Sequence, residues 1–225
     1  MGSMKYDVAD LASDNPGKGR EIRKLAGWDQ GQVVLLGGST HPGEEQALAD
    51  LVRDLQPKHP KLRLMLVPRH VERRGEILQQ LSSSGLKVGL RSRLEEEKGS
   101  DPDVLLVDST GELRDLYPAC ELVFIGKTLT GKGGQNFLEA ARHGRAIVAG
   151  PHMDNFQSLR REFLADKAMV VSADATGLKA DLDRLLASSA DRDDLGRRAQ
   201  ACFREHLGAG ARHAEALLKF LNGKV

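Results

Sequence analysis

Short apolar runs recur along this chain, separated by stretches whose apolar residues repeat every three or four positions. The runs at residues 33–36, 62–67, 87–90, 104–107, 122–125, 146–148 and 169–171 are rich in Val, Leu and Ile, with little polar alternation. A strand covered by protein on both faces reads this way. Between the runs, residues 44–55 place Leu48, Leu51, Val52 and Leu55 on one helical face. Residues 72–81 read as a helix stopped by Gly85, and residues 112–117 begin a helix that Pro118 limits. Residues 94–101 are charged and polar, a loop. The final third is helical, over 178–187, 191–206 and 211–221. The expected fold class is α/β: a Rossmann-like parallel sheet with helices on both faces and a helical C-terminal tail. Right-handed crossovers then place the carboxyl end of every strand on one rim.

Ligands of open parallel sheets sit beyond those carboxyl ends. The residues there include Ser39, Thr40 and His41 after the first run, and Arg69 and His70 after the second. Ser109, Thr110, Gly111 and Glu112 follow the fourth, Lys127, Gly133, Gly134, Asn136 and Glu139 the fifth, and Asn155 lies beyond the sixth. The set has the chemistry to hold an anion, a ribose and a sugar. It lacks the packed carboxylate or imidazole spacing of a metal site.

The segment from Gly126 to Ala141 carries the sharpest signal. An apolar strand leads into a loop with Gly131, Gly133 and Gly134, then a helix that opens at Asn136 with Glu139 in its first turn. Glycines let a phosphate approach bare backbone, a helix start offers unpaired N–H groups, and a carboxylate can accept from a ribose diol. No Gly-Lys-Ser/Thr closes the loop and no spaced Gly-x-Gly-x-x-Gly is present, which excludes a Walker loop and a dinucleotide fingerprint. Plainer readings stand beside these. Asn136 and Glu139 fit a capping box, Ser39-Thr40 a helix cap ahead of Glu44-Glu45, Thr110-Gly111-Glu112 an N-cap with an acidic first turn, and Arg69 and His70 surface loop groups. A capping box alone leaves the glycine cluster before it unexplained.

Composition narrows the class. With 225 residues, 40% hydrophobic and 29% charged, the chain can bury a substantial core. A formal net charge of +1 gives no footprint for nucleic acid. Cys120 and Cys202, far apart, read as buried thiols of a reducing compartment. No apolar run approaches the ~20 residues of a spanning helix. Met1-Gly2-Ser3 reads as an expression scar, leaving residues 4–225 as one nucleotide-sugar-binding domain.

These rim residues also resemble a known family. Lys5-Tyr6-Asp7, the run from Gly38 to Glu45, Val67-Pro68-Arg69-His70, Asp108 to Leu113, Phe124 to Lys127, Gly133 to Asn136 with Glu139-Ala140, and Gly150-Pro151-His152 with Asn155-Phe156 are similar, in order, to the C-terminal half of the 3-deoxy-D-manno-octulosonic acid (Kdo) transferases. The resemblance implies half of a GT-B fold, and inverting transfer of Kdo from CMP-Kdo to lipid A precursor in lipopolysaccharide biosynthesis, without a cofactor or metal. It implies donor contacts from Arg69, Ser109, Thr110, Gly111, Glu112, Lys127, Gly134, Gln135, Asn136 and Glu139, with Ser39, Thr40, His41 and Asn155 toward the sugar. Glu139 would take the ribose hydroxyls, and the helix starts at Gly111 and Asn136 the phosphate.

Gln135 stands where the commonest family pattern has His, Phe137 where Pro is frequent, and Lys127 where Gly is frequent. The first puts any proton role at that position in doubt. In the family an N-terminal domain supplies the acceptor site, the membrane-contacting surface at the cytoplasmic face of the inner membrane and the proposed catalytic carboxylate. This chain reads as the excised donor half, soluble and silent alone. Two other readings remain from the residues: a GT-B half using a UDP-sugar, and a non-catalytic nucleotide-binding module.

Overall fold

In the computed structural model, which describes residues 4–11, 15–28 and 31–221, the strands form one fully parallel sheet. The expression scar read at residues 1–3 lies outside the described residues. The strands are β1 (Val33–Thr40), β2 (Leu62–Pro68), β3 (Val88–Leu90), β4 (Val104–Leu106), β5 (Leu122–Ile125), β6 (Ala146–Ala149) and β7 (Val170–Val171). Their spatial order is β3-β4-β2-β1-β5-β6-β7. The chain therefore winds outward from β1 on one side, returns, and winds outward on the other. The reversal falls between β1 and β5, paired from Leu35↔Leu122 to Gly38↔Ile125.

The strands alternate between two apolar cores, as a pleat requires. Val34, Leu36, Met65, Val67, Leu105, Val123, Ile125, Ile147 and Ala149 face one core; Leu35, Leu64, Leu66, Val104, Leu106, Leu122, Phe124, Ala146 and Val148 face the other. Helices α1 (Lys5–Leu11), α2 (Pro16–Ala26), α5 (Leu113–Leu116), α6 (Leu138–Arg142), α7 (Gln157–Ala165) and α9 (Ser189–Glu205) contribute to the first. Helices α3 (Glu44–Leu55), α4 (Arg74–Ser82) and α8 (Ala175–Ala187) cover the second. This is the α/β architecture expected of a GT-B half, with α10 (Ala209–Leu221) closing a helical C-terminal stretch.

Several boundaries differ from the sequence reading. β1 does not stop at Leu36; it continues through Gly37 to Thr40, with a register shift between Gly38 and Thr40 against β2. The helix expected from Asn136 begins at Leu138 and has five residues. The helix expected over 72–81 is a 3-10 turn, Val71–Arg73, followed by α4. Helices α1, α2 and α7 carry too few apolar repeats to be read from pattern. In α2, Gly19 lowers the helical propensity, and it stands there because a Cβ would lie 2.5 Å from Asp115 O.

Lys5-Tyr6-Asp7 proves to be a clasp between the two ends of the fold. The Asp7 carboxylate accepts from Gly208 N and Gly210 N, each at 2.6 Å, at the start of α10. Tyr6 OH donates to Glu162 Oε2 at 2.6 Å, and Lys5 Nζ lies 4.4 Å from the Phe156 ring centroid. Both cysteines are free and buried. Among the described residues no helix is long and apolar enough to cross a membrane.

Candidate functional site: a cavity at the switch between β1 and β5

Beyond the carboxyl ends of β1, β2, β4 and β5 lies a cavity of about 520 Å³. Its walls combine Ser39 from β1, Pro68 and Arg69 from the end of β2, Ser109, Thr110 and Gly111 from the loop after β4, and Gln135 and Glu139 from beyond β5. Val67, Val71 and Leu113 supply apolar surface, and Arg114 completes the lining. Volume and mixed lining suit a small polar ligand.

The Glu139 carboxylate is ion-paired. Arg114 Nε and Nη2 both donate to Oε1, at 3.2 and 3.1 Å. Oε2 has no hydrogen-bond partner among the described residues, so one acceptor oxygen stays free beside the cavity. The capping-box geometry is not formed at Glu139. Asn136 Oδ1 accepts from Leu138 N at 3.1 Å, an Asx-type turn, and Phe137 holds the cap position. Phe137 is buried against Phe163, with ring centroids 4.9 Å apart.

On the opposite wall the loop after β4 is braced by carboxylates. Asp108 accepts from Ser92 N at 2.8 Å and pairs with Arg74 at 3.2 Å. Glu112 is buried and accepts from Ser109 Oγ, Arg91 Nε at 3.2 Å and Lys18 Nζ at 3.3 Å. Burial pushes the Glu112 carboxyl up, but Ser109, Arg91 and Lys18 together outweigh it and hold it below the ordinary range. Its charge is thus matched within the protein. It shapes the Ser109–Gly111 wall without itself lining the cavity.

The entry to the glycine-rich loop has an occupant from its own chain. Glu44, fully buried at the start of α3, accepts four backbone N–H groups: His41 (3.0 Å) and Lys127 (2.7 Å) at Oε2, Thr128 and Leu129 (both 2.9 Å) at Oε1. An anion already sits where the amides of His41 and residues 127–129, just ahead of the glycines, converge. Thr128, also buried, donates its hydroxyl to Ile125 O at 2.5 Å and accepts from Gly150 N at 2.8 Å. Gly126 lets β5 pass β1 closely, since a Cβ there would lie 2.0 Å from Ser39 O. Gly133 has a φ of 114° and would place a Cβ 2.6 Å from Asn155 Nδ2. Lys127 takes a φ of 58°, the left-handed region that favours glycine.

Other expected residues sit around the cavity rather than in it. His41 Nε2 is 3.1 Å from Gln135 Nε2, and the His41 and His70 rings meet edge to face with centroids 6.0 Å apart. Burial holds the His41 imidazole below its ordinary value; Glu44 opposes this, while Lys127, His70 and Arg73 add to it. A neutral ring accepting the Gln135 amide fits that direction. Thr40 is buried with its hydroxyl unpartnered, Asn155 N donates to Gly133 O at 3.0 Å, and Gly134 N donates to Lys127 O at 2.9 Å. Arg69, by contrast, is a wall residue of the cavity and is exposed, its backbone N tied to Thr40 O at 3.0 Å. Among the described residues no three His, Cys, Asp or Glu side chains converge as metal ligands would.

Arg114 and Glu44 were missed as site residues. Glu44 had a legible signal: at helical spacing it shares a face with Leu48, Leu51 and Leu55, so the pattern itself puts a carboxylate on the buried stripe. Arg114 had none, because its partner lies 25 residues away on another element.

No protein-family model matches the chain. The 3-deoxy-D-manno-octulosonic acid transferase of Bordetella pertussis is 33% identical over 226 residues, covering 98% of this chain and 51% of the relative. That of Haemophilus influenzae is 30% identical, covering 100% and 52%. The crystal structure of the C-terminal CMP-Kdo binding domain of WaaA from Acinetobacter baumannii superposes with a TM-score of 0.74 at 27% identity, over 83% of this chain and 96% of that domain. The chain belongs to the Kdo transferase family. It spans about half the length of the curated Kdo transferases it matches, and corresponds to the C-terminal, GT-B half-domain. Anabaena HepE, solved with UDP and glucose, shares the fold alone, with a TM-score of 0.62 at 16% identity.

Proposed function

We propose that this chain is the donor-binding half of an inverting glycosyltransferase that moves Kdo from CMP-Kdo to lipid A precursor. The observation that carries the reading is Glu139, with its Oε2 unpartnered among the described residues, lining the same cavity as Arg69 and Ser109–Gly111, in a Kdo transferase fold. Glu139 accepts from the ribose hydroxyls. Arg69 and the amides of residues 109–111 hold the phosphate, and Val67, Val71 and Leu113 pack on the base. The amides of residues 127–129, at the entry to the glycine loop, do not take the phosphate, because Glu44 fills them. The loop's role is to present Gln135 and to place Lys127 toward the sugar, beside His41 from the end of β1.

In the transfer, an acceptor hydroxyl attacks the anomeric carbon from the face opposite the phosphate. The C–O bond to phosphate breaks, CMP departs with the bonding electrons, and the acceptor proton passes to a base. Arg69 offsets the charge gathering on the departing phosphate, so no metal is required for that task. The acceptor site, the base and the contact with the inner membrane's cytoplasmic face belong to the other half of such an enzyme. Calorimetric titration tests the reading: CMP binds, UMP and UDP bind at least tenfold more weakly, and EDTA changes nothing. Equal affinity for CMP and UMP would replace it with a donor half of different base specificity.

A further inference from the structure

Glu44 is the most fully engaged charged group in the rim, and both ends of its hydrogen-bond set lead to one side chain. Through Oε2 it holds the His41 backbone, and His41 Nε2 meets Gln135 Nε2 at 3.1 Å. Through Oε2 and Oε1 it holds Lys127, Thr128 and Leu129; Lys127 O then accepts from Gly134 N at 2.9 Å, the residue before Gln135. Gln135 lines the cavity, and Glu44 does not. The carboxylate bridges the carboxyl ends of β1 and β5, where the sheet changes direction. It also holds the left-handed turn at Lys127, a conformation unfavourable for a residue with a Cβ.

We propose that Glu44 is a positioning residue for the donor: an internal anion that holds the amides of residues 127–129, at the entry to the glycine-rich loop, and thereby sets Gln135 against the bound nucleotide sugar. The role rests on the donor reading above. A carboxylate is the side chain that can do this, because all four lone-pair directions face N–H donors. A glutamine of the same shape accepts at one atom and turns an NH₂ group toward two of those donors.

The test is a double-mutant cycle on CMP affinity with E44Q, Q135A and the double variant, each also melted without ligand. Each single variant is expected to lose on the order of tenfold in affinity, and the double variant no more than the weaker single. E44Q should also melt lower. A merely structural Glu44 would lower the melting point too, but its loss of affinity would multiply with that of Q135A to about a hundredfold; that result, or unchanged affinity in E44Q, overturns the proposal. If E44Q does not fold, E44D serves: it keeps the charge but, one methylene shorter, cannot reach the amides of both strands, and the same coupling is expected. Absence of CMP binding by the unsubstituted chain would instead overturn the donor reading, and the role of Glu44 with it.

Discussion

Replacing Glu139 with alanine separates its two accounts, ligand contact and structural ion pair. The structural cost is set by the Arg114 pair, whose side chains are 40% and 21% exposed. A pair this wet is worth about 0–1 kcal/mol, and Arg114 can turn to solvent once released. For a chain of 225 residues, that shifts the melting temperature by no more than about 2–4 °C. The ligand cost is larger. If Oε2 accepts from the ribose, charge-assisted bonds worth about 1.5–3 kcal/mol are lost. CMP affinity should then fall roughly ten- to hundredfold. Calorimetry with CMP and 2′-deoxy-CMP reads this directly: the unsubstituted protein should prefer CMP, and E139A should barely distinguish them. Equal CMP affinity in both proteins, with only a lowered melting point, would leave Glu139 as the partner of Arg114 and refute its role toward ribose.

Three further outcomes follow from the geometry. Gly126→Ala forces a Cβ to within 2.0 Å of Ser39 O and should cost several kcal/mol, on the order of 3 or more, read as a collapse of the denaturant midpoint. The amides of Gly210 and Gly208 hold Asp7 below its ordinary carboxyl value. A lowered folded value means that the clasp contributes fully above the unfolded value and is lost as pH falls through the folded one. Hydrogen exchange in α10, corrected for intrinsic rates, should therefore accelerate in acid, and in Asp7→Asn at neutral pH; an unchanged pattern would dismiss the clasp. Burial pushes the Cys120 thiol up to about 12 and Cys202 upward as well, so neither should react with a thiol reagent at pH 8 until the protein unfolds.

What the sequence determined by itself was the alternation of buried strands with helices, and hence the rim. Unbroken apolar runs such as residues 122–125 have one good solution, a strand covered on both faces, and that solution places Ser39, Arg69, Ser109–Gly111 and Glu139 together. Local pattern could not give the order of strands, since hydrophobic burial is non-directional and every strand is apolar on both faces. The fold decided that β1 and β5 lie side by side, and decided the long-range contacts of the site and of the terminal clasp. Glu44 meets amides 83 to 85 residues away, Arg114 meets Glu139 across 25, and Asp7 meets the start of α10 across 201 and 203. The glycine loop is the clearest division between the two. Its composition announced a set of bare amides seeking an anion; only the tertiary structure supplied an anion from the chain itself to the amides at its entry, residues 127–129, because a buried N–H must be satisfied by whatever acceptor the packing brings within reach.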